Sequence, residues 1–579
     1  MVSLLKIFHI LPPQEYKSCV FLFILMFISV ALETIGVGLI LPFIAAMGNE
    51  EAFYKYPQLA FFTEQIKAIG YNNFIIMCAI GLICFYFLKN LFLGFTNWMQ
   101  IRFVVRNQNY YSKQLFAEYL FKPYLFHLNS NMGEMMRNVN NGGVVVFGAI
   151  VLPVLNLIVE CATAGSIWLL LMFVDPLIAT LVSIFFGGLV ATVIKSFRGR
   201  IDKQGDLQKE CQAKFLSWAS QGLGSIKITK VMHTEDYFLD NFDASYRRFG
   251  EAMGNFQLLQ QLPRLVIEGV VVCGLLLLVI LKIFMGSNPN DIVPLMGLLG
   301  LVAFRLMPSA NRIVAYYNAA KFQMPFFHEI YPEFMAIKER NSASDVKLLD
   351  RTEKRFSFAH EICMDHVAFS YDGVHAVLQD VSFKVKHGDY VGIIGVSGVG
   401  KTTFVDILLG LFEPTRGRIT VDGVDILTDI RGWQENLAYV PQGVFLIDGS
   451  IKENIAFGQD ADSIDDVYLE EVIRMAELYD FVQELPDGVE TSVGEQGSRL
   501  SGGQRQRIGI ARALYQKPEV LVLDEATSAL DTATEKSVVD TILKLKGKMT
   551  IISIAHRIST LDACDYKIRF YHGGCEVVK

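Results

Sequence analysis

Long apolar stretches alternate with long polar ones through the first 330 residues of the chain. A helix that crosses a membrane needs about 20 mostly apolar residues, and six stretches meet that length. They lie at 19–47, 73–98, 144–173, 176–197, 262–285 and 292–318. An even number of spans returns the chain to its starting side, so the pattern predicts that both ends of this region lie on one face of a membrane.

The polar segments 99–140 and 198–255 separate the second span from the third and the fourth span from the fifth. Both mix charged and aromatic residues, and we expect spans two to five to continue through them as helices below the membrane. Each pair would then be joined by a short turn, near Lys122-Pro123 and near Gly222-Leu-Gly224. The alternative is that both segments are soluble loops that transmit no motion to the membrane spans.

The pattern changes after residue 335. The stretch 336–357 is polar and charged, as in a linker. Beyond it, short Val- and Ile-rich stretches alternate with helical ones, which indicates a parallel sheet with crossover helices. The sequence therefore predicts three parts. They are an α-helical membrane domain over 1–335, with six transmembrane helices and long cytoplasmic extensions, a linker over 336–357, and an α/β domain over 358–579.

The composition supports a membrane protein. Hydrophobic residues make up 52% of the 579 residues and charged residues 19%, whereas soluble proteins carry about 25% charged residues. The formal net charge of −7 gives no support for a nucleic-acid partner, which would favour a basic face. None of the nine cysteines sits in a C-x-x-C pair, so we expect buried free thiols rather than a metal or disulfide role.

A glycine-rich loop follows the apolar stretch Tyr390-Val-Gly-Ile-Ile394 and precedes a predicted helix. Its sequence, Gly395-Val-Ser-Gly-Val-Gly-Lys401-Thr402, has the strand–loop–helix context of a phosphate loop. Glycines let backbone N–H groups approach phosphates, Lys401 supplies a positive charge, and Thr402 offers a hydroxyl to Mg²⁺. The residues expected to hold the phosphates of ATP are Gly395, Ser397, Gly398, Gly400, Lys401, Thr402 and Thr403.

Two acidic residues end the apolar stretch Val520-Leu-Val-Leu523. A carboxylate at the end of a buried strand is costly unless it serves an ion, so Asp524 is expected to hold Mg²⁺ directly or through water. Glu525 is next along the chain and is expected to orient or deprotonate the attacking water. The pair predicts an ATP hydrolase.

The string Leu500-Ser-Gly-Gly-Gln504 lies between the phosphate loop and the acidic pair. The three motifs in this order resemble the ATP-binding cassette (ABC) family. The resemblance implies that this string closes on ATP held by another subunit, so that the chain works as a homodimer with two shared ATP sites. The residues that would make this contact are Ser501, Gly502, Gly503 and Gln504.

The same resemblance implies four further roles in the ATP site. Tyr371, in Phe369-Ser-Tyr371, would stack on adenine, and Gln442, in Tyr439-Val-Pro-Gln442, would sense the metal and the γ-phosphate. His556 would contact the γ-phosphate, and Asp531 would link the two ATP sites. For Tyr371 a core position is the alternative, and a lone histidine is more often structural.

Four basic residues fall within the predicted spans: Lys89, Arg264, Arg305 and Arg312. Ionisable residues inside a membrane are costly and mark functional sites by default. A cluster that faces a cavity would suit an anionic head group such as a pyrophosphate. Pairing with carboxylates inside the membrane domain is the alternative, and the candidates are Glu33, Glu160 and Glu268.

The whole chain resembles an ABC exporter half-transporter, with one six-helix domain and one cassette. Phe304-Arg-Leu-Met-Pro-Ser-Ala-Asn-Arg312, together with Glu33-Thr-Ile and Leu41-Pro-Phe-Ile44, resembles the bacterial flippases of lipid-linked oligosaccharides used in protein N-glycosylation. The stretch 50–70 resembles the short external helix of those flippases. Lys89 departs from the arginine expected there, which keeps the charge but weakens bidentate phosphate binding.

This narrower resemblance implies a complete function. ATP hydrolysis in the cytoplasm would move a polyprenyl-pyrophosphate-linked oligosaccharide from the inner to the outer leaflet of the bacterial inner membrane, among membrane lipids. The alternatives are an exporter of another lipid, a drug or a peptide, and an ATP-gated channel.

Overall fold

The computed structural model describes residues 9–48, 70–174, 176–284, 289–342, 356–525, 532–554, 561 and 563–578. The chain divides into two compact units. The first contains Met1–Lys122 and Asn129–Leu348, and the second contains Pro123–Leu128 and Leu349–Lys579. The predicted external helix at 50–70 lies outside the described residues except for Gly70.

Helices build the described part of the first unit. In chain order up to Ser342 the α- and π-helices are α1 (Tyr16–Gly48), α2 (Tyr71–Leu120), α3 (Tyr124–Asn129), α4 (Met132–Gly143), a π-helix (Val144–Val151), α5 (Leu152–Val174), α6 (Pro176–Gly224), α7 (Ile226–Met232), α8 (Glu235–Phe284), α9 (Pro289–Phe322) and α10 (Met324–Ser342). All of them belong to the first unit except α3, which lies in the second unit apart from its last residue. The six predicted spans fall on α1, α2, the π-helix with α5, α6, α8 and α9. The predicted helical membrane domain is confirmed.

Three of these helices are longer than any bilayer requires. Helices α2 and α8 have 50 residues each and α6 has 49. At about 1.5 Å per residue each measures about 75 Å, whereas a hydrocarbon core is about 30 Å thick. The long helices are the predicted extensions. Within the described ranges, Pro13–Ile40, Tyr71–Leu120 and Met132–Phe173 are long and apolar enough to cross a membrane.

The helix breaks lie where the sequence predicts turns. Helix α2 ends at Leu120, just before Lys122-Pro123, and α6 ends at Gly224, with Ser225 before α7. Proline lacks a backbone N–H and fixes its own φ, which stops the first helix. At the other end of the unit, α10 continues to Ser342, so residues 336–342 of the predicted linker are helical.

The second unit is built on one ten-stranded sheet. The strands are β1 (Glu361–Ser370), β2 (Ala376–Lys386), β3 (Tyr390–Gly395), β4 (Arg416–Val421), β5 (Val424–Asp425), β6 (Leu437–Val440), β7 (Val520–Asp524), β8 (Thr550–Ile554), β9 (Tyr566–Tyr571) and β10 (Gly573–Val578). Their order is β5-β4-β1-β2-β10-β9-β3-β8-β7-β6. Strands β6, β7, β8, β3 and β9 pair in parallel, as predicted. The antiparallel pairs at the other end were not predicted.

Seven α-helices lie within the described residues after 356. They are α11 (Lys401–Leu408), α12 (Ile430–Gln434), α13 (Ile451–Ile455), α14 (Asp466–Met475), α15 (Tyr479–Gln483), α16 (Gly502–Tyr515) and α17 (Thr532–Leu545). Strands β7 and β8 are buried along their whole length, as expected for central parallel strands covered on both faces. The carboxyl ends of β3 and β7 lie at the same edge of the sheet, and this edge carries the predicted ATP motifs.

The short segment Pro123–Leu128 belongs to the second unit by its contacts. Leu125 packs against the buried cluster around β1, β2 and α11. The ring of Tyr124 lies 5.7 Å from the ring of Phe412, centroid to centroid. The segment after the break in α2 therefore packs with the α/β fold.

Candidate functional site

The phosphate loop connects β3 to α11 with the backbone that glycine permits. Gly398 has φ 79° and Gly400 has φ 101°, which are left-handed values that favour glycine. A Cβ atom on Gly400 would come within 2.8 Å of Leu378 Cδ2. Ser397 and Gly398 at the tip of the loop are exposed. The loop therefore presents backbone N–H groups at the start of a helix, where anions bind.

Lys401 lies under this loop. Its Nζ donates to the carbonyl oxygens of Gly395, at 2.8 Å, and Val396, at 3.0 Å. Burial lowers the pKa of Lys401, while the nearby carboxylates of Glu525 and Asp524 act in the opposite direction. The structure thus brings the lysine and the acidic pair to one site.

The acidic pair has one buried and one half-buried member. Asp524 ends β7 and is buried, and its Oδ2 accepts a hydrogen bond from the hydroxyl of Tyr439 at 3.2 Å. Glu525 follows with φ 48°, a left-handed conformation that costs about 1–3 kcal/mol in a non-glycine residue. Its Oε2 accepts from Gln442 Nε2 at 2.8 Å. Strain of this kind persists where the surroundings impose it, which is common at active sites.

Two further residues of this site were missed by sequence reasoning. Tyr439 lies in the string that contains Gln442, but only Gln442 was singled out. Asp406 lies on α11, and burial, followed by the charge of Asp524, raises its pKa to about 6. A carboxylate among Phe404, Val405 and Ile407 was the available signal, because an acidic residue amid buried apolar neighbours marks a perturbed group.

Tyr371 lies beside the phosphate loop. Its hydroxyl is 3.0 Å from Thr403 Oγ1, and its ring packs edge-on against Phe369 and Phe412 at 5.0 and 5.6 Å between centroids. The residue is 44% exposed, so it is not a core tyrosine. A partly exposed ring beside the loop fits the predicted role in adenine stacking.

The Ser501 string begins helix α16 with a capping box. Ser501 Oγ accepts from the backbone N–H of Gln504 at 3.2 Å, and Gln504 Oε1 accepts from the backbone N–H of Ser501 at 2.8 Å. A Cβ atom on Gly502 would meet nothing within 4 Å, so the start of the helix is open. An open helix N-terminus attracts anions, as the predicted contact with ATP requires.

The donor set at the sheet edge suits Mg²⁺ with a nucleotide. Such ions take one or two carboxylates, with phosphates and water completing the octahedron. Asp524 offers a buried carboxylate, and Thr402 and Gln442 offer neutral oxygens. In the part of the chain that the structure describes, no three His, Cys, Asp or Glu side chains cluster as a metal site of their own. Asp531 and His556 lie outside the described residues.

Comparisons with known proteins bear on both units. The ABC transporter family profile matches residues 378–528, which include the phosphate loop, the Ser501 string and the acidic pair. A solved bacterial Atm1-family ABC exporter with ATP bound has the same fold, with a TM-score of 0.73 and 22% identity, over 98% of this chain and 95% of that one. Residues 378–528 therefore form an ABC transporter cassette, and the chain as a whole has the fold of an ABC exporter half-transporter.

Curated relatives match more of the chain than the α/β domain alone. The heterocyst differentiation ATP-binding protein HepA of Nostoc is 30% identical over 67% of this half-transporter, and the match spans 62% of that relative. The ATP-dependent lipid A-core flippase of Saccharophagus degradans is 29% identical over 78% of this chain and 75% of its own. These matches extend beyond the cassette into the membrane domain.

The basic residues in the spans of the half-transporter have different surroundings. Arg312 makes a two-point contact with Glu160, from Nε to Oε1 at 2.5 Å and from Nη2 to Oε2 at 3.2 Å. Lys89 is buried, with Nζ 4.6 Å from the centre of the Tyr86 ring. Arg264 is exposed on α8, and the side chain of Arg305 lies outside the described residues. The pairing expected as the alternative is therefore realised for Arg312.

Proposed function

We propose that this half-transporter works as a homodimer that uses ATP hydrolysis to move a lipid with an anionic head group across the membrane. The specific substrate we propose is a polyprenyl-pyrophosphate-linked oligosaccharide, moved from the inner to the outer leaflet of the bacterial inner membrane. The ATP-binding domain would lie in the cytoplasm.

The observation that carries the ATPase part is the contact of the acidic pair with the β6 segment. Tyr439 and Gln442 hold Asp524 and Glu525 beside Lys401 and the phosphate loop. Bound Mg²⁺ would neutralise phosphate charge, held by Asp524, Thr402 and Gln442. Glu525 would orient the attacking water and accept its proton, and Lys401 would hold the phosphates.

The chemistry of the Ser501 string supports the homodimer. The string forms an open helix N-terminus that suits an anion, and one chain carries both this element and a phosphate loop. In a pair of copies, the Ser501 string of each chain would complete the ATP site at the phosphate loop of the other. A contact between two identical surfaces related by a twofold axis is the commonest way to build such an assembly.

The substrate class rests on the membrane domain and on relatives. A relative that matches most of this chain is named a lipid A-core flippase, which favours a lipid. Since Arg312 already contacts Glu160, the head-group contacts are assigned first to Lys89, Arg264 and Arg305. The pyrophosphate is supported by the resemblance of the Phe304–Arg312 string.

A transport assay tests the proposal directly. Purified protein in proteoliposomes would be given ATP and either a polyprenyl-pyrophosphate oligosaccharide, a lipid A-core, a neutral glycolipid or an amphipathic drug. We expect ATP-dependent appearance of the polyprenyl-linked sugar in the opposite leaflet, absent with ADP. Transport of the drug alone would instead support the exporter alternative.

A further inference from the structure

One segment contacts both members of the acidic pair. The hydroxyl of Tyr439 donates a hydrogen bond to Asp524 Oδ2 at 3.2 Å. Three residues later, Gln442 Nε2 donates to Glu525 Oε2 at 2.8 Å. The two donors are held by different parts of the backbone. Tyr439 lies on strand β6, whereas Gln442 lies after the strand has ended.

Strand β6 fixes where Tyr439 points. It pairs in parallel with β7, with Tyr439 opposite Val522 and Val440 opposite Leu523. Ala438 and Val440 are buried in the cluster that includes α16. Alternate residues of a strand face opposite sides, so Tyr439 points to the other face. There the residue is 37% exposed and its hydroxyl reaches Asp524.

A neutral phenol can donate its O–H and an ionised carboxylate can only accept, which fixes the direction of this hydrogen bond. The carboxyl groups of Asp524 and Asp406 both act electrostatically on Tyr439, so this donor lies near two carboxyl groups.

Two carboxylates that lie close together repel each other. A neutral donor fixed on a neighbouring strand opposes the turning of the Asp524 carboxylate away from Asp406. Groups that hold a metal ligand in place in this way commonly contribute about 10–100-fold to metal affinity. Tyr439 has the position, the donor and the rigid support for this role.

We propose that Tyr439 is a positioning residue of the ATP site, whose hydroxyl holds Asp524 in the orientation that binds the metal of the metal–nucleotide complex. This inference rests on the proposed ATPase function. It assigns Tyr439 no contact with the reacting atoms and separates its role from that of Gln442, which contacts Glu525.

Tyr439→Phe removes the hydroxyl and keeps the ring. We would titrate Mn²⁺ into full-length protein with a non-hydrolysable ATP analogue and follow free Mn²⁺ by electron paramagnetic resonance. The apparent Mn²⁺ dissociation constant should rise about 10-fold. Binding of the analogue in the presence of EDTA should stay unchanged, and ATPase activity should recover at high Mn²⁺.

Tyr566→Phe is a matched control. The hydroxyl of Tyr566 lies 3.1 Å from Asp389 Oδ2 and 2.9 Å from the carbonyl oxygen of Lys384, so the control also removes a tyrosine hydroxyl beside an aspartate of the same domain. Asp389 precedes β3, whereas the phosphate loop follows β3, and a six-residue strand spans about 20 Å. We expect Mn²⁺ affinity in Tyr566→Phe to match that of the unaltered protein.

Two further variants decide the mechanism. Tyr439→His keeps an N–H donor and should lose less Mn²⁺ affinity than Tyr439→Phe. In an Asp524→Asn background, Tyr439→Phe should cause no further loss, because the hydroxyl acts through the carboxylate. Equal Mn²⁺ affinity of Tyr439→Phe and the unaltered protein, or additive losses in the double variant, would overturn the proposal. If the unaltered protein itself neither bound Mn²⁺ with the analogue nor hydrolysed ATP, the proposed function would fail first.

Discussion

The ATP site and the basic residues of the membrane domain are assembled in different ways. In the ATP site, neighbouring parallel strands end at one edge of the sheet, and Lys401, Asp524 and Glu525 influence one another there. In the membrane domain, Arg312 joins α9 to α5 through Glu160, and Lys89 packs on Tyr86, whose hydroxyl bonds to Gly36 of α1. The first set forms one cluster, and the second is divided among separate helix pairs.

The difference shows which sites a sequence can encode locally. A phosphate loop is one continuous segment, and strands that pair in register bring the next motifs to its side. Residues on different long helices share no such register. Their depth in the membrane follows from topology, but the face that each occupies depends on helix packing.

The largest expected effect tests the ATP site at its catalytic group. Glu525→Gln should lower ATP hydrolysis by about 10²–10⁴-fold, because it removes the group that accepts the proton of the water. ATP binding should persist, because the phosphate loop is unchanged, and the bound dimer should be trapped closed. Hydrolysis and nucleotide binding would be measured side by side, with the exposed Glu484→Gln as control. Near-normal hydrolysis by Glu525→Gln would remove Glu525 from this role.

A second variant tests whether the cluster is shared between two copies. Ser501→Arg should lower hydrolysis at least about 100-fold, since a bulky side chain would keep the Ser501 string from the partner's ATP. It also removes a helix cap, which costs about 1 kcal/mol. Ser450→Ala controls for that loss, because Ser450 forms the same capping box with Glu453. Full activity of a Ser501→Arg homodimer would contradict the shared site.

The sequence predicted the sites that depend on continuous motifs. The loop from β3 to α11, the place of Asp524 at the end of β7 and the breaks near Lys122 and Gly224 are all present in the structure. The antiparallel pairing of β1 with β2 and β4 was missed, because it joins segments that carry no motif. Tyr439 was missed for a related reason, since only the fold shows which neighbour an isolated polar residue meets. For Asp406 the apolar neighbours along the sequence were a signal, but its closeness to Asp524 appears only in the fold.

For the membrane domain the sequence predicted the helices but left the pairing open. The sequence assigned Arg312 to a head group, with pairing to a carboxylate such as Glu160 as the alternative. The two residues lie 152 positions apart, and only the packing of α5 against α9 brings them together. A charge inside a helical bundle therefore needs the structure before it can be given a role.

Substitution of the other three basic residues tests whether substrate binding in the membrane domain is separate from ATP hydrolysis. Replacing Lys89, Arg264 and Arg305 with glutamine should stop lipid transport, because each charge-assisted contact to a phosphate contributes about 1.5–3 kcal/mol. Basal ATPase activity should survive. Flipping and hydrolysis would be measured on the same proteoliposomes.

The Arg312–Glu160 pair provides the contrast to that variant. Glu160→Gln leaves Arg312 without its carboxylate and should lower the yield of folded protein, while the triple variant should not. If the triple variant lost ATPase activity together with folding, the cations would be structural partners of Glu33, Glu160 or Glu268. Full transport by a folded triple variant would contradict the anionic head group and favour a drug or peptide exporter.

The smallest expected effect concerns repulsion within the ATP site. Burial and the charge of Asp524 raise the pKa of Asp406 from 3.8 to about 6. A carboxyl with a raised pKa in the folded state holds its proton more tightly than in the unfolded state. Its contribution to stability is therefore most favourable below about pH 4 and declines as the pH rises through 6.

Asp406→Asn should remove this decline. In EDTA and without nucleotide, the unfolding midpoint of the ATP-binding domain at pH 7 should rise by about 2–4 °C, the shift that roughly 1 kcal/mol produces in a domain of this size. The gain should shrink as the pH falls from 6 to 4, because Asp406 is then protonated in the folded state. Thermal unfolding across this range would measure it, with the exposed Asp462→Asn as control. A rise in the unfolding midpoint that is equal at pH 4 and pH 7 would show that the charge of the Asp406 carboxyl is not its cause. Repulsion between Asp406 and Asp524 would then have no energetic cost that a bound cation could relieve.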